Sequence, residues 1–339
     1  MTSLPTDPLN GTGAWSHSAS VPFLFWCAAI AVLGSVAAGA ALDGSLVTLV
    51  AAGLMLAGGL PHGAFDIALA MRAFNLSWTA ALAVVGLYLA VALIMALTWL
   101  VAPILALGLF LAMSALHFGE DWCMLEDSFL RAMAGLSIIC AAGIGQPEAV
   151  ADLFRILAGS SQGFVLGRIA LVLAPVVLLV TSVGLAIAWH QGARQWALAQ
   201  ATALLCLMVA PPVIGFATYF VLLHSPRHMR AVTINLAGWT RRHRYLCGAG
   251  LTALCIAALL VFGRGFLTGE ALVASAETFR LLSIVAAPHL LLSILLERLV
   301  NRHTSAPAET EPSGISNVFA ANGVRAKSRS ATQYLPNQR

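Results

Sequence analysis

Charge is scarce in this sequence. Only 9% of its 339 residues are Asp, Glu, Lys or Arg, against roughly 25% in a soluble domain, too few to cover a water-facing surface. Closely spaced cysteines are also missing. Cys27, Cys123, Cys140, Cys206, Cys247 and Cys255 form no CxxC pair, which argues against zinc motifs and disulfide frameworks and leaves them as small packing residues in helices. Lys and Arg are absent from the first 21 residues. The apolar run 22–42 therefore lacks the basic region of a signal peptide and reads as a retained first helix.

What is present is apolar and continuous: 60% of the residues are hydrophobic. The runs 22–42, 78–100, 165–189 and 280–296 are each long enough to cross a hydrocarbon core, which takes about 20 residues. The expected architecture is an all-α polytopic membrane helix bundle. Helices are expected near 22–42, 45–73, 78–100, 102–121, 129–146, 165–190, 195–229, 246–263 and 280–300, about nine crossings within a range of eight to ten. The second and seventh are interrupted, by Gly58-Gly59-Leu60-Pro61 and by Pro211-Pro212. A polar tail over 1–21 precedes a membrane domain over 22–301. The basic tail over 302–339 has too little apolar surface to fold alone and is expected to be disordered.

The positive charge is clustered. Arg227, Arg230, Arg241, Arg242 and Arg244 lie in a segment without acidic residues, and Arg298, Arg302, Arg325, Lys327, Arg329 and Arg339 follow Glu297. Basic loops beside membrane helices ordinarily determine topology rather than bind nucleic acid. Both segments are expected in the cytoplasm, the N-terminus outside, and no nucleic acid as partner.

Ionisable groups inside a membrane helix cost about 2.5–3.5 kcal/mol each on insertion scales and mark function by default. Here they collect at Pro61–Asp66, His117–Asp121, His224–His228 and Pro288-His289. His224 and His228 are four apart, which puts both rings on one helix face with Cβ atoms roughly 6 Å apart. Pro226 between them either kinks a continuous helix or opens a new one behind Ser225. His62 alone reads equally as a buried histidine bonded to a carbonyl. The count shifts the balance: five of nine histidines (His62, His117, His224, His228, His289) sit in or at the ends of membrane helices. Such a set suits iron, copper or zinc, and iron and copper handle oxygen chemistry.

Asp66, Glu120 and Asp121 are then either solvated near the interface or partners for the second ring nitrogen of a ligating histidine. His62 and Asp66 are four apart, as are His117 and Asp121, a short echo with Gly63 and Gly119 nearby. Phe216, Phe220 and His224 follow at steps of four with Tyr219 adjacent. That stripe is either helix packing or an apolar wall for a flat hydrophobic substrate. His17, His190, His243 and His303 lie in tails or polar loops and read as solvated.

At these residues the sequence resembles the Brp/Blh family of membrane-bound β-carotene 15,15′-dioxygenases, bacteriorhodopsin-related proteins of microbes that make retinal. The resemblance is carried by PHGAFD at Pro61–Asp66, SALHFGED at Ser114–Asp121, HSPRH at His224–His228 and the late Pro288-His289, in order over residues 55–295. It implies a catalytic membrane domain holding Fe(2+) by His62, His117, His224 and His228, with Asp66, Asp121 and His289 as supporting polar groups. Phe216, Tyr219 and Phe220 would line the substrate. The implied reaction is cleavage of the central double bond of β-carotene by O₂ to two retinal molecules. Substrate would enter from membrane lipid, the location would be the cell (inner or plasma) membrane, and a retinal-binding rhodopsin would be the natural consumer. Another carotenoid or apocarotenoid would fit the same motifs. A di-iron desaturase needs more histidine boxes than the one HxxxH here. A bis-histidine haem protein and a metal-ion transporter are the non-enzymatic alternatives.

Overall fold

Proline and glycine divide the apolar runs, and the divisions decide where side chains meet. The computed structural model describes residues 21–236, 240–262 and 264–305; the side chains of Leu60, Pro61 and His62 lie outside that description. All elements among the described residues are helical. After α1 (Phe23–Ala37), α2 (Ser45–Leu54) passes through a π turn at Met55–Gly59 and a 3-10 turn at Leu60–Phe65 into α3 (Asp66–Ala73). There follow α4 (Trp78–Val101), α5 (Pro103–Glu120), α6 (Ser128–Gly145), α7 (Pro147–Ala158), α8 (Ser161–His190), α9 (Arg194–Val209) and α10 (Pro212–Tyr219). A second π turn, Phe220–His224, leads into α11 (Ser225–Asn235), then α12 (Arg241–Phe262), α13 (Gly265–Thr268) and α14 (Ala271–Ser305).

The starts and stops have local causes. Ser77 Oγ accepts from the Ala80 amide at 3.3 Å and Asp127 Oδ1 from the Leu130 amide at 2.9 Å, capping α4 and α6. Pro103, Pro147 and Pro212 open α5, α7 and α10 at the position where a missing N–H costs nothing. Gly159 ends α7 in the left-handed region, φ 62°, which glycine adopts without strain.

Among the described residues, six stretches are long and apolar enough to cross a membrane: Ser45–Arg72, Trp78–Val101, Pro103–Glu120, Ser128–Gly145, Ser161–His190 and Ala271–Ser293. Leu82, Leu87, Leu89, Leu93 and Ile94 of α4 face outward, each more than half exposed. A contiguous apolar exterior of this kind needs lipid rather than water. The chain is a helical membrane protein. The expectation of about nine crossings also counted α1, the interval 195–229 and α12. Of these, α1 has 15 residues, and Pro211 splits the interval into α9, of 16 residues, and the stretch in which α10 runs through the π turn into α11. Two elements differ from expectation: α7 forms a separate helix, and α14 begins at Ala271 rather than near 280.

The inner helices cross closely. A Cβ on Gly135 would lie 1.8 Å from the Ala115 carbonyl oxygen, so α5 and α6 meet backbone to backbone, as small residues permit in membrane bundles. The described residues up to Val300 group into one compact unit, and every feature below lies in it. The expected tails, 1–21 and 302–339, fall almost wholly outside the described residues.

Candidate metal centre

The interruption foreseen at Gly58–Pro61 faces a second one that was not foreseen, the π turn at Phe220–His224, beyond the break at Pro211-Pro212. Ser225 Oγ donates to the Gly58 carbonyl at 2.5 Å. A Cβ on Gly59 would lie 2.0 Å from Phe220 Cε1, so the glycine pair lets the first interruption seat against the second. The π turn at Phe220–His224 inserts an extra residue per turn and re-aims His224, a device frequent at functional sites. α11 then starts at Ser225 with Pro226 in its first turn. Of the two geometries open for Pro226, the continuous helix is the one adopted: His224 and Ser225 both stay in the helical region, and Ser225 bonds Gly58 instead of capping.

Three imidazoles converge. The ligand-capable atoms of His117, His224 and His228 all lie within 4.8 Å of one another. Ring centroids are 5.0 Å apart for His117 and His224, 4.9 Å for His117 and His228, and 4.5 Å for His224 and His228. His289 of α14 joins as a fourth ring, 5.0 Å from His117 and 6.4 Å from His228. The backbone of His62 lies in the 3-10 turn beside this cluster's Gly63, whose Cβ position is 3.6 Å from the His289 ring. The His62 side chain is outside the described residues.

Each of three rings leans on a carboxylate through Nδ1. His117 Nδ1 is 3.1 Å from Glu120 Oε2, His224 Nδ1 is 2.8 Å from Asp121 Oδ2, and His289 Nδ1 is 2.8 Å from Asp66 Oδ2. An ionised carboxylate only accepts, so Nδ1 carries the proton and Nε2 holds the lone pair in the neutral ring. His228 differs, with Nε2 3.5 Å from Asp121 Oδ1. The carboxylates are supported in turn. Tyr219 donates to Asp121 Oδ2 at 2.9 Å, Tyr88 donates to Asp66 Oδ2 at 2.9 Å, and Ser293 donates to Glu120 Oε1 at 3.0 Å. Arg227 donates to the Asp121 carbonyl and to Cys123 Sγ, with its guanidinium 4.4 Å from the Trp196 ring centre. Burial pushes the Cys123 thiol, in the turn after α5, above its ordinary range.

The donor set fits a metal ion. Nitrogens bound at about 2.1 Å to one ion are at most about 4.2 Å apart, so the three histidines need little movement to share one. Neutral imidazoles oriented by carboxylates are the usual surroundings of such a ligand set.

Beside the histidines lies an apolar cavity lined by Phe110, Phe118, Phe216, Phe220, Leu282 and Val285, among others. Phe216 and Phe220 stack with centroids 5.4 Å apart, and Phe220 stacks on His224 at 5.6 Å. Tyr219 is fully buried and turned to Asp121 instead of into this cavity. Among the histidines read as solvated, His190 is exposed at the end of α8, and the side chains of His17, His243 and His303 lie outside the described residues. Tyr88 and Ser293 went unnoticed in the sequence. A lone phenol within the apolar run of α4 is the signal that marks Tyr88, because membrane phenols need a partner for their hydroxyl.

Fold and site together define a class: a membrane helix bundle with a buried histidine–carboxylate cluster suited to a metal and opening on an apolar cavity. Residues 53–297, which contain all four histidine motifs, match the family model described as Beta-carotene 15,15'-dioxygenase. The chain belongs to this family of carotenoid-cleaving dioxygenases. It is similar to the beta-carotene 15,15'-dioxygenase of an uncultured marine bacterium (66A03), with 27% identity over 262 residues, 73% of this chain and 92% of that protein. No solved structure matches the chain.

Proposed function

We propose that the protein cleaves β-carotene at its central 15,15′ double bond with O₂, giving two retinal molecules, at a ferrous ion held by His117, His224 and His228 together with His62. The observation that carries this reading is the convergence of three imidazoles, of which His117 also lines an apolar cavity. The reaction breaks one carbon–carbon double bond and forms two carbonyls; O₂ supplies both oxygens, so no external reductant is required. Bound ferrous iron would supply the one-electron chemistry by which O₂ reacts with an alkene.

The chain's own residues do the rest. Asp121 and Glu120 hold the Nδ1 protons of His224 and His117, which keeps Nε2 as the donor nitrogen. Asp66 does the same for His289. Phe118 and Phe216 flank the path of a polyene and exclude water. The apolar wall has to set the reacting bond within about 3–3.5 Å of the oxidant. Rings 4.5–5.0 Å apart leave no room for a porphyrin between a facing pair, which counts against the haem reading. Substrate arrives from membrane lipid; the arginine-rich segments support a cell-membrane location with the C-terminus cytoplasmic. A retinal-binding rhodopsin is the consumer this product chemistry fits.

The test is expression in β-carotene-producing cells, with His228→Ala alongside, followed by pigment chromatography and metal analysis of the purified proteins. The parent is expected to deplete β-carotene, accumulate retinal and carry iron, and the variant to lose all three. A parent that carries iron yet leaves β-carotene intact overturns the substrate; one that carries another metal overturns the ferrous centre.

A further inference from the structure

We infer that a second cavity, behind Phe118 and Phe216, seats one whole arm of the carotenoid with its ring, and that α7 is the end wall that measures this arm. The inference rests on the carotenoid-cleaving reading and adds what selects the bond.

Phe110, Ser114, Phe118 and Phe216 line the cavity beside His117 and His289, and the same four line a second cavity leading away from the histidines. The two cavities therefore adjoin at these side chains and together form the proposed chamber. Its far side is α7, through Val150, Leu153, Phe154 and Leu157. These fall at i, i+3, i+4 and i+7, one face of a helix, and all four are buried. The second cavity's lining includes no ionisable side chain, and Ser114 is its single polar residue. A hydrocarbon chain with an apolar ring is the ligand such a lining accepts.

Its depth can be read along α5. From His117 at the cluster back to Leu107 in the second cavity is ten residues, about 15 Å at 1.5 Å per residue. That is comparable to one arm of β-carotene, from the central double bond to the ring.

The end wall is held from both sides. Arg280 of α14 donates to the Leu157 carbonyl at 3.0 Å through Nε and to the Ile156 carbonyl at 2.6 Å through Nη2. It thereby ties down last-turn carbonyls of α7, joining the Gly159 amide at Ile156, while its guanidinium lies 5.6 Å from the Trp99 ring centre. On the other side, a Cβ at Gly163 would be 2.1 Å from the Phe154 carbonyl oxygen, so α8 packs directly on α7 backbone. A wall fixed in this way does not yield to a longer arm. An arm that fills the chamber leaves its own terminal double bond, the central one of β-carotene, at the histidines.

The experiment compares purified full-length protein on β-carotene, which has a ring on both arms, and on an apocarotenal with one ring and one truncated arm. Leu153→Trp and Ala142→Phe shorten the chamber from two different helices. In each, the ratio of β-carotene turnover to apocarotenal turnover is expected to fall about ten-fold or more, because only the truncated arm still fits. Leu179→Trp, on the outward face of α8, is expected to keep the parental ratio. Arg280→Met frees the end wall and is expected to add off-centre cleavage products, read by chromatography. An unchanged ratio in a monodisperse chamber variant overturns the inference. If both chamber variants misfold, Arg280→Met decides, and cleavage confined to the central bond overturns it. Failure of the carotenoid reading itself is distinguishable, since the parent would then cleave neither substrate.

Discussion

Of the three carboxylates that hold the histidine cluster, Asp121 and Asp66 do so unequally. Asp121 is completely buried and takes Tyr219 and His224 on one oxygen, with His228 near the other. Its residues come from the end of α5 and the π turn into α11, and its own carbonyl is tied to Arg227. Asp66 takes His289 and Tyr88. Its residues come from the start of α3, the middle of α4 and α14, and it orients one ring where Asp121 touches two. The two halves share a pattern, a carboxylate between a tyrosine and a histidine, but only the Asp121 half reaches two of the three converging imidazoles. The number of ligand-capable rings a carboxylate orients should set what its loss costs.

The largest difference is expected between Asp121→Asn and Asp66→Asn. Removing an orienting partner of a metal ligand typically lowers affinity about 10–100-fold. Asp121→Asn is expected at the upper end and Asp66→Asn at the lower, read as iron retained per chain after dialysis against a graded chelator. Equal losses would dissolve the asymmetry and give His289 the same weight as His224. Next in size is Gly59→Ala, which strikes where the two helix interruptions meet. The added Cβ displaces Phe220, which stacks on His224, and overpacking of this kind costs about 1–3 kcal/mol. A lowered unfolding midpoint in detergent, with reduced iron retention, is the expected reading.

Tyrosine hydroxyls provide a finer comparison. Tyr219→Phe is expected to destabilise by about 1–3 kcal/mol, since a fully buried carboxylate loses a donor. Tyr88→Phe is expected to cost less, because the Tyr88–Asp66 hydrogen bond is only partly buried. Chemical unfolding of both variants orders them, and the reverse order would make Asp66 the more demanding site. The smallest effect is expected at Gly86 of α4, whose Cβ position meets nothing within 4 Å. Gly86→Ala should change the midpoint by no more than about 0.5 kcal/mol equivalent, which shows that the larger effects belong to the cluster and not to glycine replacement in general.

The Asp121 half was largely legible before the structure. Its histidines and Asp121 lie in two short motifs, SALHFGED and HSPRH; helical spacing brings His117 to Glu120 and His224 to His228, while the Asp121–His224 contact joins the two motifs across 103 positions. The Asp66 half was legible only in part. Asp66 and His289 stood out as ionisable groups in apolar runs, but their pairing joins α3 to α14 across 223 positions, and no local periodicity encodes that. Tyr88 and Ser293 were missed for the same reason. Each is an ordinary polar residue in its own helix and becomes specific only through the neighbour packed against it. α7 was missed because Pro147–Ala158 is too short to span and carries Glu148, Asp152 and Arg155, so it reads as a connecting segment.

By itself the sequence determined the membrane class, the breaks at Gly58–Pro61 and Pro211-Pro212, and the set of imidazoles available. These follow from transfer free energies and backbone chemistry, which act residue by residue. Tertiary structure alone decided which carboxylate serves which ring, that the Gly58–Pro61 break meets the π turn at Phe220–His224, and that α7, pinned by Arg280, lines the second cavity. Those outcomes depend on helix–helix register, where close approach at Gly59, Gly135 and Gly163 selects one packing among many that the same apolar surfaces would accept.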